Sequence, residues 1–115
     1  MSKQKFGALI RRQRESKEIG LREMAKMIGV SPTYLSKVER DEFAPPAEDK
    51  VRKIAEVIGH DVDELLALAG RVSSDLTDII REHPREMADF LRAARGLTAG
   101  DMADLARRAE RAKKK

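Results

Sequence analysis

The sequence predicts an all-α fold, with five short helices complete by about residue 71 and two or three more in a C-terminal extension. Three observations lead there. Apolar residues recur at helical spacing along most of the chain, and no segment shows the strict alternation of a strand. Glycines and prolines fall between those stripes, where helices stop and start. Aromatic residues make up only 3% of a chain that is 41% hydrophobic, so the core has to be built from Leu, Ile, Val, Met and Ala.

Each element follows from its own pattern. Phe6, Leu9, Ile10 and Gln13 share one helical face, which predicts a first helix from Lys3 to Lys17. Gly20 can cap a second helix whose buried stripe is Leu21, Met24, Ala25 and Ile28. Gly29 ends it at the C′ position, where a positive φ suits glycine. Ser31 is then a good N-cap and Pro32 a good first residue for a third helix, reaching Glu39 and burying Leu35 and Val38. Two prolines make Phe43 to Pro46 a loop. A fourth helix is expected from Ala47 to Ile58, with Glu48 and Asp49 at its positive end and Val51, Ile54, Ala55 and Ile58 facing inward. Gly59 stops it. Asp61 caps a fifth helix carrying Val62, Leu65, Leu66 and Ala69, and Gly70 ends that.

The stretch from Leu21 to Arg40 is the most telling. It is two short helices joined by a tight turn, with polar and basic residues on the second. Ala25, Gly29 and Leu35 stand where crossing helices need a small residue, a left-handed turn and a core anchor. That is the layout of a DNA-reading helix-turn-helix. The charge balance points the same way. Residues 1–40 hold ten Lys/Arg against four Asp/Glu, residues 41–72 four against eight, and residues 73–115 ten against eight. Positive charge therefore accumulates on the segment bearing the motif, as a partner rich in phosphate would require. Scattered surface charge is the plainer reading of the same counts.

Ala25–x3–Gly29–Val30–Ser31–x3–Leu35–x2–Val38–Glu39, followed by Ile58-Gly59 and Asp63-Glu64-Leu65-Leu66, resembles the Xre family of phage repressor/Cro-like regulators. The resemblance covers about the first 70 residues. It implies a lambda-repressor-like DNA-binding domain over residues 1–71, with the N-terminal half of the third helix in the major groove. The outward residues there are Pro32, Thr33, Ser36 and Lys37, which become the expected base contacts. Pro32 offers only apolar contact, Thr33 a hydroxyl and a methyl, and Lys37 can reach guanine O6 and N7. A phosphate contact, or a solvated side chain, is the alternative for Lys37. Arg22, Lys26, Ser31, Tyr34 and Arg40 are the expected phosphate contacts, which position without reading sequence. Tyr34 can instead pack as core, and the cations can be ordinary surface charge. The resemblance also implies a structural ion pair between Arg14 and Glu39. The chain departs from the family where a glycine often follows the reading helix. Here Arg40-Asp41-Glu42 follows, placing two acids near the expected phosphate path.

Residues 72–112 form the expected helical extension. Ser74-Asp75 can start a helix with Leu76, Ile79 and Ile80, and Pro84 one with Met87, Phe90, Leu91 and Ala94, closed by Gly96. Thr98 with Asp101 resembles a capping box for a helix carrying Met102, Leu105 and Ala109. These stripes exceed what one small domain needs to close its core. They either fold back on the first and fifth helices or form a dimer interface through Leu76, Ile79, Ile80, Met87, Phe90, Leu91, Met102 and Leu105. Residues 113–115 are read as a basic, solvated tail. The tail also resembles those of short regulators in this family controlled by a partner protease.

Other chemistries find little purchase. There is no cysteine, and the two histidines, His60 and His83, have no metal-ligand spacing near them. No glycine-rich phosphate loop or nucleophile motif is present. The expectation is a non-enzymatic regulator with no cofactor, metal or membrane segment, located in the cytoplasm at the bacterial nucleoid. Its partners would be double-stranded DNA, a second copy of itself and a regulatory protein. The contrasting reading is an antitoxin or adaptor whose C-terminal helices bind a protein, with DNA binding secondary.

Overall fold

The computed structural model of the chain describes residues 5–114, so the expected start at Lys3 and the last tail residue, Lys115, lie outside the described residues. Eight helices and no strand are present among them. The first five are α1 (Phe6–Ser16), α2 (Leu21–Ile28), α3 (Pro32–Glu39), α4 (Glu48–Ile58) and α5 (Val62–Leu68). The chain divides into two compact units between Ser74 and Asp75.

Local chemistry explains most boundaries in the first unit. Gly29 and Gly59 end α2 and α4 at φ 78° and 70°, in the left-handed region open to glycine. The Ser31 hydroxyl accepts from the Tyr34 N–H at 3.1 Å and caps α3, with Pro32 as its first residue. Asp61 caps α5 through the Glu64 N–H at 2.9 Å. At the N-terminus of α2, glycine has no side chain to give, and the Glu23 carboxylate reaches back to the Gly20 N–H at 3.4 Å.

The core is one cluster. Phe6, Leu9 and Ile10 of α1, Met24, Ala25 and Ile28 of α2, and Leu35 and Val38 of α3 meet Val51, Ile54, Ala55 and Ile58 of α4 and Leu65 and Leu66 of α5. Every one is an aliphatic residue, a methionine or Phe6. Gln13, grouped by its spacing with that stripe, is only half-buried, while Arg14 next to it is buried. Gly7 marks the tightest approach: a Cβ there would stand 2.2 Å from the Val38 carbonyl oxygen, so α1 packs backbone to backbone on the end of α3.

The first unit runs to Ser74, three residues beyond the expected 71/72 boundary. Arg71 donates to the carbonyls of Pro46 at 2.7 Å and Pro45 at 2.8 Å. Arg52 donates to the Ser73 hydroxyl, and the Ser74 N–H donates to Glu48 at 3.1 Å. The residues after Gly70 are thus stitched to α4 and the loop before it. Helical periodicity carries no trace of such side-chain bonds.

The second unit contains α6 (Ser74–Glu82), α7 (Pro84–Ala93) and α8 (Ala99–Lys113), α6 starting on the last residue of the first unit. Thr98 and Asp101 form a capping box on α8: Asp101 N–H to Thr98 Oγ1 at 3.0 Å, and Thr98 N–H to Asp101 at 3.2 Å. No residue of α7 or α8, and none of α6, is buried.

Candidate nucleic-acid interface

Two helices and one ion pair set the geometry. α2 and α3 pack on each other across the turn at Gly29, and both rest on the core. Leu35 and Val38 anchor the inner face of α3, which leaves Pro32, Ser36 and Lys37 half-buried and Thr33 exposed on its outer face. All four expected base-reading side chains therefore share one accessible helix surface.

Arg14 and Glu39 fix α3 from behind. The guanidinium donates Nε to Glu39 Oε2 at 2.8 Å and Nη2 to Oε1 at 2.9 Å. A third donor, Nη1, reaches the Ile19 carbonyl at 2.8 Å. The two side chains are 9% and 3% exposed. This is the fork-to-fork geometry in which both direction and distance are constrained. The Glu39 hydrogen bond is the main cause holding the Arg14 pKa above its ordinary value; desolvation opposes it, and the Glu39 and Glu15 charges add to it. Glu39 is thus fully occupied inside the protein and is not available to a base.

The expected phosphate contacts fare differently from one another. Arg22 and Lys26 project from α2 and are exposed. Ser31 accepts the Tyr34 N–H as a cap, which leaves its own O–H to donate outward. Arg40 is also exposed but pairs with Glu42 at 2.7 Å. Tyr34 is half-buried against the core, and its ring lies 5.8 Å from that of Phe43, tilted by 47°. The ring therefore packs at the edge of the core.

The two acids after α3 are accounted for. Asp41 adopts φ 59°, taking the left-handed position that glycine often fills in this kind of turn. Its carboxylate turns to the N-terminus of α1 and accepts the Gly7 N–H at 3.0 Å. Glu42 is held by Arg40. One acid is therefore a helix cap and the other half of a surface pair.

Phe43, which the sequence places only in a loop, joins the site. It is 43% exposed, its ring lies tilted against that of Tyr34, and the Lys37 ammonium sits 5.1 Å from its ring centre. Its one signal in the sequence is rarity, as one of three phenylalanines in the chain. Among the described residues no cluster of His, Asp and Glu could hold a metal ion, and no helix is long and apolar enough to cross a membrane.

Comparison with known proteins agrees with this geometry. Residues 10–65 match the helix-turn-helix family model. The chain is 34% identical over 76 residues to an HTH-type transcriptional regulator of Mycobacterium tuberculosis, covering 66% of this chain and 54% of that protein. It thus spans about half the length of the mycobacterial relative. It is 39% identical over 61 residues to the ImmF control region 10 kDa protein of Bacillus phage phi105, covering 53% of this chain and 67% of that one. Among solved structures it is similar to the DNA-binding domain of the P22 c2 repressor, at TM-score 0.52 and 30% identity, covering 57% of this chain and 86% of that one. The all-α fold, the turn between α2 and α3, and these relatives converge: the chain belongs to the Xre-type helix-turn-helix family of phage repressor-like transcriptional regulators.

Proposed function

We propose that the chain is a sequence-specific, double-stranded DNA-binding repressor that acts as a homodimer on a pseudo-palindromic operator. The observation that carries this reading is α3: a helix with an apolar inner face, a polar and basic outer face, and a buried bidentate pair that fixes its direction. A helix held in that way can enter a major groove with its side chains already aimed. Pro32, Thr33, Ser36 and Lys37 read base edges, and Arg22, Lys26, Ser31, Tyr34 and Arg40 hold the backbone. Arg40 exchanges Glu42 for phosphate to do so. The P22 relative, whose matched segment is a DNA-binding domain, supports this assignment.

Size supports two copies. A single module of this kind buries only about 600–1,000 Å² on DNA, short of what most specific complexes use. Two copies would address half-sites about 34 Å apart. The exposed residues Leu76, Ile79, Phe90, Leu91 and Met102, with Ile80, Met87 and Leu105 beside them, supply the apolar surface to join them. Occupying a promoter in this way would exclude polymerase. The same apolar residues also fit the adaptor reading, in which a different protein covers them.

Selection from random duplexes, followed by a salt titration, tests the proposal. The selected site should be two-fold symmetric, and log K should fall by about 0.9 per phosphate contact for each tenfold rise in salt. Flat salt dependence, or no selected sequence, overturns it. A tail that aggregates in the pure chain and is rescued only by another protein favours the adaptor.

A further inference from the structure

α7 and α8 enclose an apolar groove of about 380 Å³ lined by Phe90, Leu91, Ala94, Met102, Leu105 and Ala109. Phe90 and Leu91 are each half exposed, and Met102 nearly so. The charges of α8 are segregated along its length. Asp101 and Asp104 occupy the N-terminal half, and Arg107, Arg108, Arg111 and Lys113 the C-terminal half, with Glu110 the one acid among them. Helical periodicity places Asp101 and Arg108, two turns apart, along one edge of the Met102–Leu105–Ala109 stripe. Asp104 and Arg107 pair with each other on the far side. Arg108 has no ionic partner among the described residues.

We infer that α8 pairs antiparallel with α8 of a second copy across this groove, a reading that rests on the dimer proposed above. In that arrangement Met102 of each copy packs on Leu105 of the other. Asp101 of each copy then meets Arg108 of the other along the flanking edge. One register satisfies both, because antiparallel coils oppose like flanking positions while the core residues alternate. Parallel pairing fails on charge: the acidic halves would lie together, the basic halves together, and Arg108 would face Lys113. The groove thus complements itself, as a two-fold interface requires. An unrelated partner would have no reason to match this charge order.

Sedimentation velocity of the full chain and its charge-reversed variants tests the pairing. Arg108→Glu should weaken the homodimer about tenfold or more, because two acids then oppose each other twice. Asp101→Lys should do the same, with circular dichroism reporting α8 helicity because Asp101 also serves the cap. An equimolar mixture of the two variants should regain the wild-type dimer. In the mixed pair the introduced lysine faces the introduced glutamate, and the untouched Asp101 and Arg108 face each other. If the wild type is a dimer that Arg108→Glu leaves intact, the antiparallel pairing is wrong and the dimer stands. Weakened variants that do not recover on mixing also overturn the pairing. A wild type that stays monomeric throughout overturns the dimer and this inference together.

Discussion

Arg14 donates all three of its hydrogen-bonding nitrogens inside the protein, two to Glu39 and one to the Ile19 carbonyl. A pair this enclosed contributes little net stability, because desolvation offsets attraction; its removal by halves is what costs. Glu39→Gln should lower stability by about 3–5 kcal/mol, since the guanidinium keeps its charge and loses its counterion. Urea unfolding measures this, and an unshifted midpoint would show that the brace is not energetic. Arg14→Met combined with Glu39→Leu should regain most of the loss while loosening the direction of α3. Neutral pH will not modulate the brace from the arginine side. Glu39 raises the Arg14 pKa, and a raised basic group keeps its stabilising effect until pH climbs through that value, here in extreme alkali. Asp41 shows a second residue-scale solution, in which a non-glycine in the left-handed region is compensated by capping α1.

At the scale of elements, α3 and the loop after it act together. Lys37 rests over Phe43, and Phe43 leans on Tyr34. A cation over an exposed ring is worth about 0.5–1 kcal/mol, whereas a bidentate contact to guanine discriminates by about 1–3 kcal/mol. On the proposed reading, the ring contact is too weak to hold the lysine back from a guanine. Lys37→Ala should relax preference at one position per half-site by about 1–3 kcal/mol, and Arg22→Ala should weaken all duplexes alike. Binding measured across a panel of single-base operator variants separates the two. A uniform loss in Lys37→Ala would move that residue to the phosphate contacts.

For the whole molecule, burial is uneven. Among the described residues, every residue of the buried hydrophobic core cluster lies in α1 to α5, and α6 to α8 bury none. Backbone hydrogen bonds unsupported by apolar burial open at low cost. Amide exchange should therefore be fast in α6 to α8 at low protein concentration and slow in the first unit. If a second copy covers the tail, protection there should rise with concentration while the first unit stays unchanged. Concentration-independent protection of the tail would contradict its dependence on a partner.

The order, kind and caps of the helices were legible in the sequence, because each rests on local chemistry. Gly29 and Gly59 stop helices by φ, Ser31, Asp61 and Thr98 cap them by short-range hydrogen bonds, and the aliphatic stripes have helical period whatever they pack against. The partnership of Arg14 with Glu39 came from family likeness, and its bidentate geometry is visible only in the fold. Contacts between residues distant in sequence leave no periodic trace. Asp41 on Gly7, Lys37 on Phe43, and Arg71, Ser73 and Ser74 on the segment from Pro45 to Arg52 are of that kind. The sequence determined which helices form, and tertiary structure alone decided how the acids after α3 are neutralised and where the first unit ends. Short-range hydrogen bonding and periodicity are written along the chain, whereas long-range pairing depends on which surfaces the packed core brings together.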